Sequence, residues 1–295
     1  MAERAVERSG VIHDLGYRPY TGPRRDTGSI AAALFVNGFL NAFGIGRSGK
    51  SKVLPFLLLA FNLLPAVITV GAMVLIGLQE LPISYTQYAS TTQVLLGIFV
   101  ASQAPVLFSR DLRHGSITLY LARPLSSTHY ALARWAALLA ATLVFLLLPI
   151  LLLYLGALLG ELDFTEQTEE AAKACLLVIL LALSLTGISG LIASISVRRG
   201  FAVVATIAVL LLGNGIVTAV QGISFEEGEP RIGEIAGLFS PYSLYRGAGA
   251  ALADFDALTP PTGAGMEAAY YATFVVIAIV CLALLLWRYR KVAGK

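Results

Sequence analysis

The chain has 295 residues, of which 57% are hydrophobic and 13% charged, with a formal net charge of +3. Soluble domains average about 45–50% apolar and about 25% charged residues. At a mean hydropathy of +0.77, a single soluble globular domain is excluded, and so is disorder, which needs low hydrophobicity.

Residues 1–26 are polar and charged and carry no signal-peptide pattern. They read as a cytoplasmic N-terminal segment. Tyr17-Arg18-Pro19-Tyr20-Thr21-Gly22-Pro23-Arg24-Arg25 within it is irregular by its proline and glycine content. The uncharged stretch 27–46 follows. On a helical wheel Phe35, Val36, Phe39, Leu40 and Phe43 share one face, with Asn37, Asn41 and Gly44 opposite, as in a helix lying in the membrane interface.

Gly44-Ile45-Gly46-Arg47-Ser48-Gly49-Lys50-Ser51 satisfies the pattern GxxxxGK[ST]. A phosphate-binding loop of that kind needs a buried strand before it and a helix after it in an α/β domain. Here an amphipathic stretch precedes it and an apolar span follows. The match reads as a false P-loop, with Arg47, Lys50 and Lys52 as interfacial anchors and no cofactor site on this chain.

Six long uncharged runs come next, of 27, 29, 26, 24, 26 and 20 residues. A helix needs about 20 apolar residues to cross a bilayer. The runs predict spans near 54–78, 91–109, 133–159, 172–196, 201–221 and 269–288. Runs such as Phe145-Leu146-Leu147-Leu148 do not alternate, which excludes a membrane barrel. The expected fold is therefore an all-α integral membrane protein with six transmembrane helices and an N-terminal interfacial helix.

Charge sets the orientation. The N-terminal segment, the 110–134 loop, the Arg198-Arg199 turn and the tail hold 18 Lys/Arg and 5 Asp/Glu, and the loops on the other side hold 3 and 13. Positive residues stay inside, so both termini are expected in the cytoplasm and the chain in the cell membrane.

No Asp, Glu, Lys, Arg or His falls in the middle of a span, which argues against a proton-coupled transporter. The neutral polar residues Ser102, Gln103, Asn214 and Thr218 are the candidate substrate pathway, with an interhelical hydrogen bond as the plainer role for each. Gly156 with Gly160, and Gly187 with Gly190, read as helix-packing sites. The cysteines Cys175 and Cys281 and the three histidines offer no disulfide framework and no metal spacing. No hydrolase nucleophile motif occurs, so the chain itself is not expected to be an enzyme. The outer loop 222–268 is acidic and then carries Leu238-Phe239-Ser240-Pro241-Tyr242-Ser243-Leu244-Tyr245-Arg246. That stretch suggests a short re-entrant helix. Pro241, Tyr242 and Tyr245 are candidate outer-gate residues, or anchors at headgroup level.

The loop between spans two and three reads Ser109-Arg110-Asp111-Leu112-Arg113-His114-Gly115-Ser116-Ile117-Thr118-Leu119-Tyr120-Leu121-Ala122-Arg123-Pro124-Leu125-Ser126-Ser127. A charged turn, a glycine, a short apolar helix and Arg-Pro before the next span resemble the ABC-2 type permease family, the membrane subunits of ATP-binding-cassette exporters. The resemblance covers most of 27–290 and implies that 27–46 is the elbow helix. It also implies a coupling helix in the loop, with Arg110, Asp111, Arg113, Gly115, Leu119, Tyr120, Arg123 and Pro124 at the contact. Without that contact, the basic residues would only set topology and Pro124 would only end a helix. The implied partners are a separate cytosolic ATPase subunit carrying ATP and magnesium, a second and identical permease subunit, and membrane lipids, with no nucleic acid. A membrane anchor or assembly factor recruiting a cytosolic protein, or an ATP-independent facilitator, are the alternatives.

Overall fold

The computed structural model describes residues 22, 26–78, 80–113, 115, 120, 125–196, 198–253, 255 and 257–293. Most of the expected segment 1–26, the coupling-loop residues Leu119, Arg123 and Pro124, and tail residues 294–295 lie outside the described residues. Six helices are long and apolar enough to cross a membrane, and no strand occurs among the described residues. The architecture is that of a multi-pass helical membrane protein.

Helix α1 (Thr27–Ala42) starts where the Asp26 carboxylate accepts from the Ser29 N–H at 3.1 Å. It packs along α6 (Ser127–Leu159), and a Cβ at Gly38 would stand 2.8 Å from the Ala137 methyl. The expected apolar face is split. Leu34, Gly38, Asn41 and Ala42 turn inward, while Val36 and Leu40 face out.

Helix α2 (Gly49–Ile76) ends at Gly77, whose φ of 70° is the left-handed cap a side chain would strain. Tertiary hydrogen bonds enter the backbone ladders beside two prolines, and at Pro149 one replaces the helical partner the ring removes. Pro149 in α6 offers no N–H to the Phe145 carbonyl, and the Asn62 side-chain amide donates to it at 2.8 Å. Beside Pro65, the Tyr88 hydroxyl inserts into the α2 ladder. It accepts from the Ala66 N–H at 3.2 Å and donates to the Asn62 carbonyl. Tyr88 stands on α3 (Tyr85–Thr91), a short helix where a loop was expected.

The expected second span, 91–109, is α4 (Gln93–Leu107), and past Phe108, just after Pro105, the chain continues as a short α5 (Ser109–Arg113). α4 is the centre of the bundle. Leu96, Phe99, Val100, Ala101, Ala104 and Leu107 are fully buried, and the Phe99 ring stacks on Phe145 at 4.6 Å. Helices α6 and α7 (Phe164–Ile195) pack against each other around it. The expected packing glycines do that work inside the fold. Val70 fills the notch at Gly156, Met73 that at Gly160, Cys281 that at Gly187 and Phe108 that at Gly190.

The fifth span is α8 (Arg199–Ile207), a π-helical turn at Ala208–Leu212, and α9 (Gly213–Glu226). The stretch expected as the outer loop folds as α10 (Pro230–Gly237) and α11 (Pro241–Ala253), and α12 (Ala264–Ala293) follows. On α2, α8–α9 and α12, residues such as Ile68, Leu75, Val204, Leu212, Ile216 and Ile279 are more than half exposed. A soluble monomer does not leave apolar surface of that extent in water, and lipid is the solvent it suits.

Candidate functional site

At the end of the bundle where the basic residues gather, α5 is clamped rather than loosely attached. Asp111 is 5% exposed and Arg134 1% exposed, and Arg134 Nη2 donates to Asp111 Oδ2 at 2.6 Å. The Tyr130 hydroxyl donates to the same oxygen at 2.6 Å. Ser109 Oγ donates to the Ala193 carbonyl at 2.7 Å, which ties α5 to the end of α7. The Tyr130 ring lies 5.5 Å from Tyr120 and 5.5 Å from Tyr289, so α12 and Tyr120 of the loop after α5 join the cluster. A buried carboxylate bound to a buried guanidinium resists being pulled apart, because either charge left alone is costly.

Asp111, expected at the contact, is buried. Its side chain points inward and is consumed by Arg134 and Tyr130, leaving it no surface for a partner. Arg110 is 41% exposed at its side chain and Arg113 is exposed. Gly115 takes a φ of 65° just beyond α5. These residues remain available at the surface, and Tyr120 is half-buried.

The four pathway residues fall into two sets. On α4, Ser102 Oγ bonds back to the Phe99 carbonyl at 2.9 Å, and Gln103 Nε2 donates to Ser102 Oγ at 2.9 Å. Asn214 and Thr218 lie on α9, one turn past the π-turn. Gly97 on α4 faces Leu211, so the sets stand roughly 13 Å apart along the two helices at 1.5 Å per residue.

Asn214 and Thr218 belong to a polar network with the outer cap. Arg246 Nη2 donates to Thr218 Oγ1 at 3.0 Å and to Asn214 Oδ1 at 3.4 Å. Ser240 Oγ donates to Asn214 Oδ1 at 2.9 Å, and Ser243 Oγ to Gln221 Oε1 at 3.1 Å. No carboxylate pairs with Arg246 among the described residues, and burial pushes its guanidinium pKa down. With Gln221, Ser243, Phe255 and Thr259 it lines a cavity of about 170 Å³.

Pro241, Tyr242 and Tyr245 are enclosed in the cap. The tyrosines are 2% and 1% exposed, so they do not reach a headgroup layer as anchors. The Tyr245 hydroxyl donates to the Thr86 carbonyl at 2.7 Å. The Tyr242 hydroxyl is buried without a hydrogen-bond partner, 3.1 Å from where a Cβ at Gly97 would stand. Burial raises both phenol pKa values.

Arg134, Tyr130, Gln221 and Arg246 were not among the expected site residues. In the sequence Arg134 only marks the edge of the third apolar run, and Arg246 ends an aromatic stretch. Asp111 as the one carboxylate in 110–134, and Arg134 with no acidic residue near it in sequence, could have suggested the first pair.

The Gly44–Ser51 motif sits in a corner between α1 and α2. A Cβ at Gly44 would stand 2.4 Å from the Ser51 carbonyl oxygen, so the corner folds back on its own backbone. Among the described residues, no group of His, Cys, Asp and Glu has metal-binding geometry. The sequence matches no protein-family model, and no curated protein matches it.

Proposed function

We propose that the chain is the membrane permease subunit of an ABC-2 type exporter, working with a separate cytosolic ATPase and a second, identical permease chain. The observation that carries this reading is the clamp on α5. A short charged helix at the basic end of the bundle is fixed by Asp111 to α6 and by Ser109 to α7, so a push on it moves both spans as a body. The excess of Lys and Arg places that end and both termini in the cytoplasm. There α1 serves as the elbow helix, and Arg110, Arg113, Gly115, Leu119, Tyr120, Arg123 and Pro124 form the contact with the ATPase. Asp111 anchors that contact from behind.

ATP and magnesium bind the partner, and the chain is multi-pass in the cell membrane. Gln103 stands on the inner side of the pathway and the Asn214–Thr218–Arg246 network on the outer side. Pro241, Tyr242 and Tyr245 form the cap that opens for release. The π-turn at Ala208–Leu212 supports this division, since such turns recur where a helix must deform for function.

The test is a mild-detergent purification of the tagged chain from its own membrane, with mass spectrometry and an ATP hydrolysis assay. A stoichiometric ATP-binding-cassette protein with vanadate-sensitive hydrolysis is expected. A chain that comes down alone and passes solutes in vesicles without ATP would make it a facilitator. A partner without a nucleotide site would make it an anchor.

A further inference from the structure

Four elements meet at the basic end of the bundle: the 43–48 corner, the first turn of α2, α5 and the start of α8. Arg47, Arg110, Arg113 and Arg199 line a cavity of about 180 Å³ together with Ser109. An adjoining cavity of about 200 Å³ is lined by Arg47 and Arg199 again, with Lys50, Ser51 and Gln103. No carboxylate lines either cavity among the described residues. The nearest one, Asp111, has Oδ1 3.8 Å from Arg110 Nε, but its other oxygen is held by Arg134 and Tyr130.

Five cations therefore line the two adjoining cavities, and among the described residues Asp111 Oδ1, beside Arg110, is the one carboxylate oxygen paired with any of them. Like charges brought together raise the energy of the fold unless an anion offsets them. Arg47 shows the strain, since burial lowers its guanidinium pKa and repulsion from Arg110 and Arg199 lowers it further.

The chemistry of the lining narrows the anion. Guanidinium forks match the oxygens of a phosphate in pairs, and hydroxyls from Ser51 and Ser109 add donors. The cleft is concave and small, which suits a tetrahedral anion better than the acidic surface of a protein. Its level is that of the bilayer boundary. The apolar stretch of α2 begins just beyond Gly49, that of α4 ends at Leu107, and α8 starts at Arg199. Basic pockets between spans at that depth are where anionic headgroups are held.

We infer that this cleft binds the phosphate of an anionic membrane lipid. The residues of the Gly44–Ser51 motif then have a use that needs no nucleotide domain, because Arg47, Lys50 and Ser51 are three of the lining groups. The inference does not rest on the permease reading.

The test uses the purified full chain in neutral detergent, with native mass spectrometry as the readout. The probes are phosphatidylglycerol, phosphatidylcholine of the same acyl chains, and inorganic phosphate. Phosphatidylglycerol is expected to be retained at least tenfold better than phosphatidylcholine. Arg47→Gln with Arg199→Gln should lower its retention about tenfold. Arg47→Lys with Arg199→Lys should keep most of it, and Arg290→Gln with Lys291→Gln, outside the cleft, should leave it unchanged. Circular dichroism checks that each variant is folded. Binding of inorganic phosphate in place of the lipid, lost in the same Gln variant, would support the phosphate site with a soluble anion as its source. Equal retention of the two lipids, or full retention by the folded Gln variant, would overturn it. Failure of both phosphatidylglycerol and phosphate to bind would also overturn it and leave the cleft to an acidic protein surface.

Discussion

Asp111 and Arg134 form an ion pair at 2.6 Å, with both side chains almost wholly enclosed, between the short helix α5 and the start of the third span. The pair turns an interhelical joint into a rigid one. It also explains why a carboxylate stands among so many cations, because Asp111 neutralises the Arg134 guanidinium, which water cannot reach.

Removing one partner should be worse than removing both. Asp111→Asn or Arg134→Met leaves a charge buried alone and should cost about 3–5 kcal/mol. Asp111→Leu combined with Arg134→Met should recover most of that stability. Thermal unfolding of the four proteins in detergent checks the order. In the proposed function, the double variant stays folded and still transports poorly, since an apolar joint lacks the fixed geometry of the ion pair.

Asn62 and Phe145 give a second, independent prediction. Asn62→Ala leaves the Phe145 carbonyl beside Pro149 without its donor and should destabilise by about 1–3 kcal/mol. Asn62→Ala with Pro149→Ala restores a helical N–H to that carbonyl and should regain part of the loss. Denaturant unfolding of both variants reads the difference.

Gly97 is where α4, the π-turn and the outer cap touch. A Cβ there would stand 2.7 Å from Leu211 and 3.1 Å from the Tyr242 hydroxyl. Gly97→Val should block relative movement of these elements and abolish transport in the proposed function. Gly97→Val with Leu211→Ala makes room and should restore part of it. ATP-dependent flux in vesicles holding chain and ATPase measures both.

The phenols outside the spans set an alkaline limit. Burial pushes Tyr88 up to about 12 and raises Tyr85, Tyr242 and Tyr245 as well. In the unfolded chain these groups ionise near pH 10, about the ordinary phenol value. Folded values above unfolded ones give stability that is complete below about pH 10 and lost as pH rises through the folded values. Tyrosinate absorbance should therefore show these four ionising only together with loss of helical circular dichroism. Ionisation of every tyrosine near pH 10 with the helix signal intact would contradict their burial.

The spans were legible because lipid demands long runs without charge, and charge punctuates this chain cleanly. Gly156 and Gly187 were legible as packing sites for a related reason, since small residues in spans let neighbours approach. The short helix α3 and the inward turn of Asp111 were not legible. Each depends on a partner far away in sequence, as Tyr88 depends on Asn62 and Asp111 on Arg134. Arg134 was hidden by its position at the edge of an apolar run, where a snorkelling charge and a buried one look the same. The outer tyrosines were ambiguous because aromatic residues suit both a headgroup layer and a protein core. Only the carbonyl of Thr86, across the fold, identifies the second for Tyr245.

The central claim is that α5 and the loop after it receive the motion of an ATPase. Hydrogen exchange of segment 109–125, measured in the purified chain and in its complex with the co-purified ATPase, addresses it most directly. Slowed exchange confined to that segment and the start of α6 is expected in the complex. Unchanged exchange there, with protection appearing elsewhere on the chain, would contradict it.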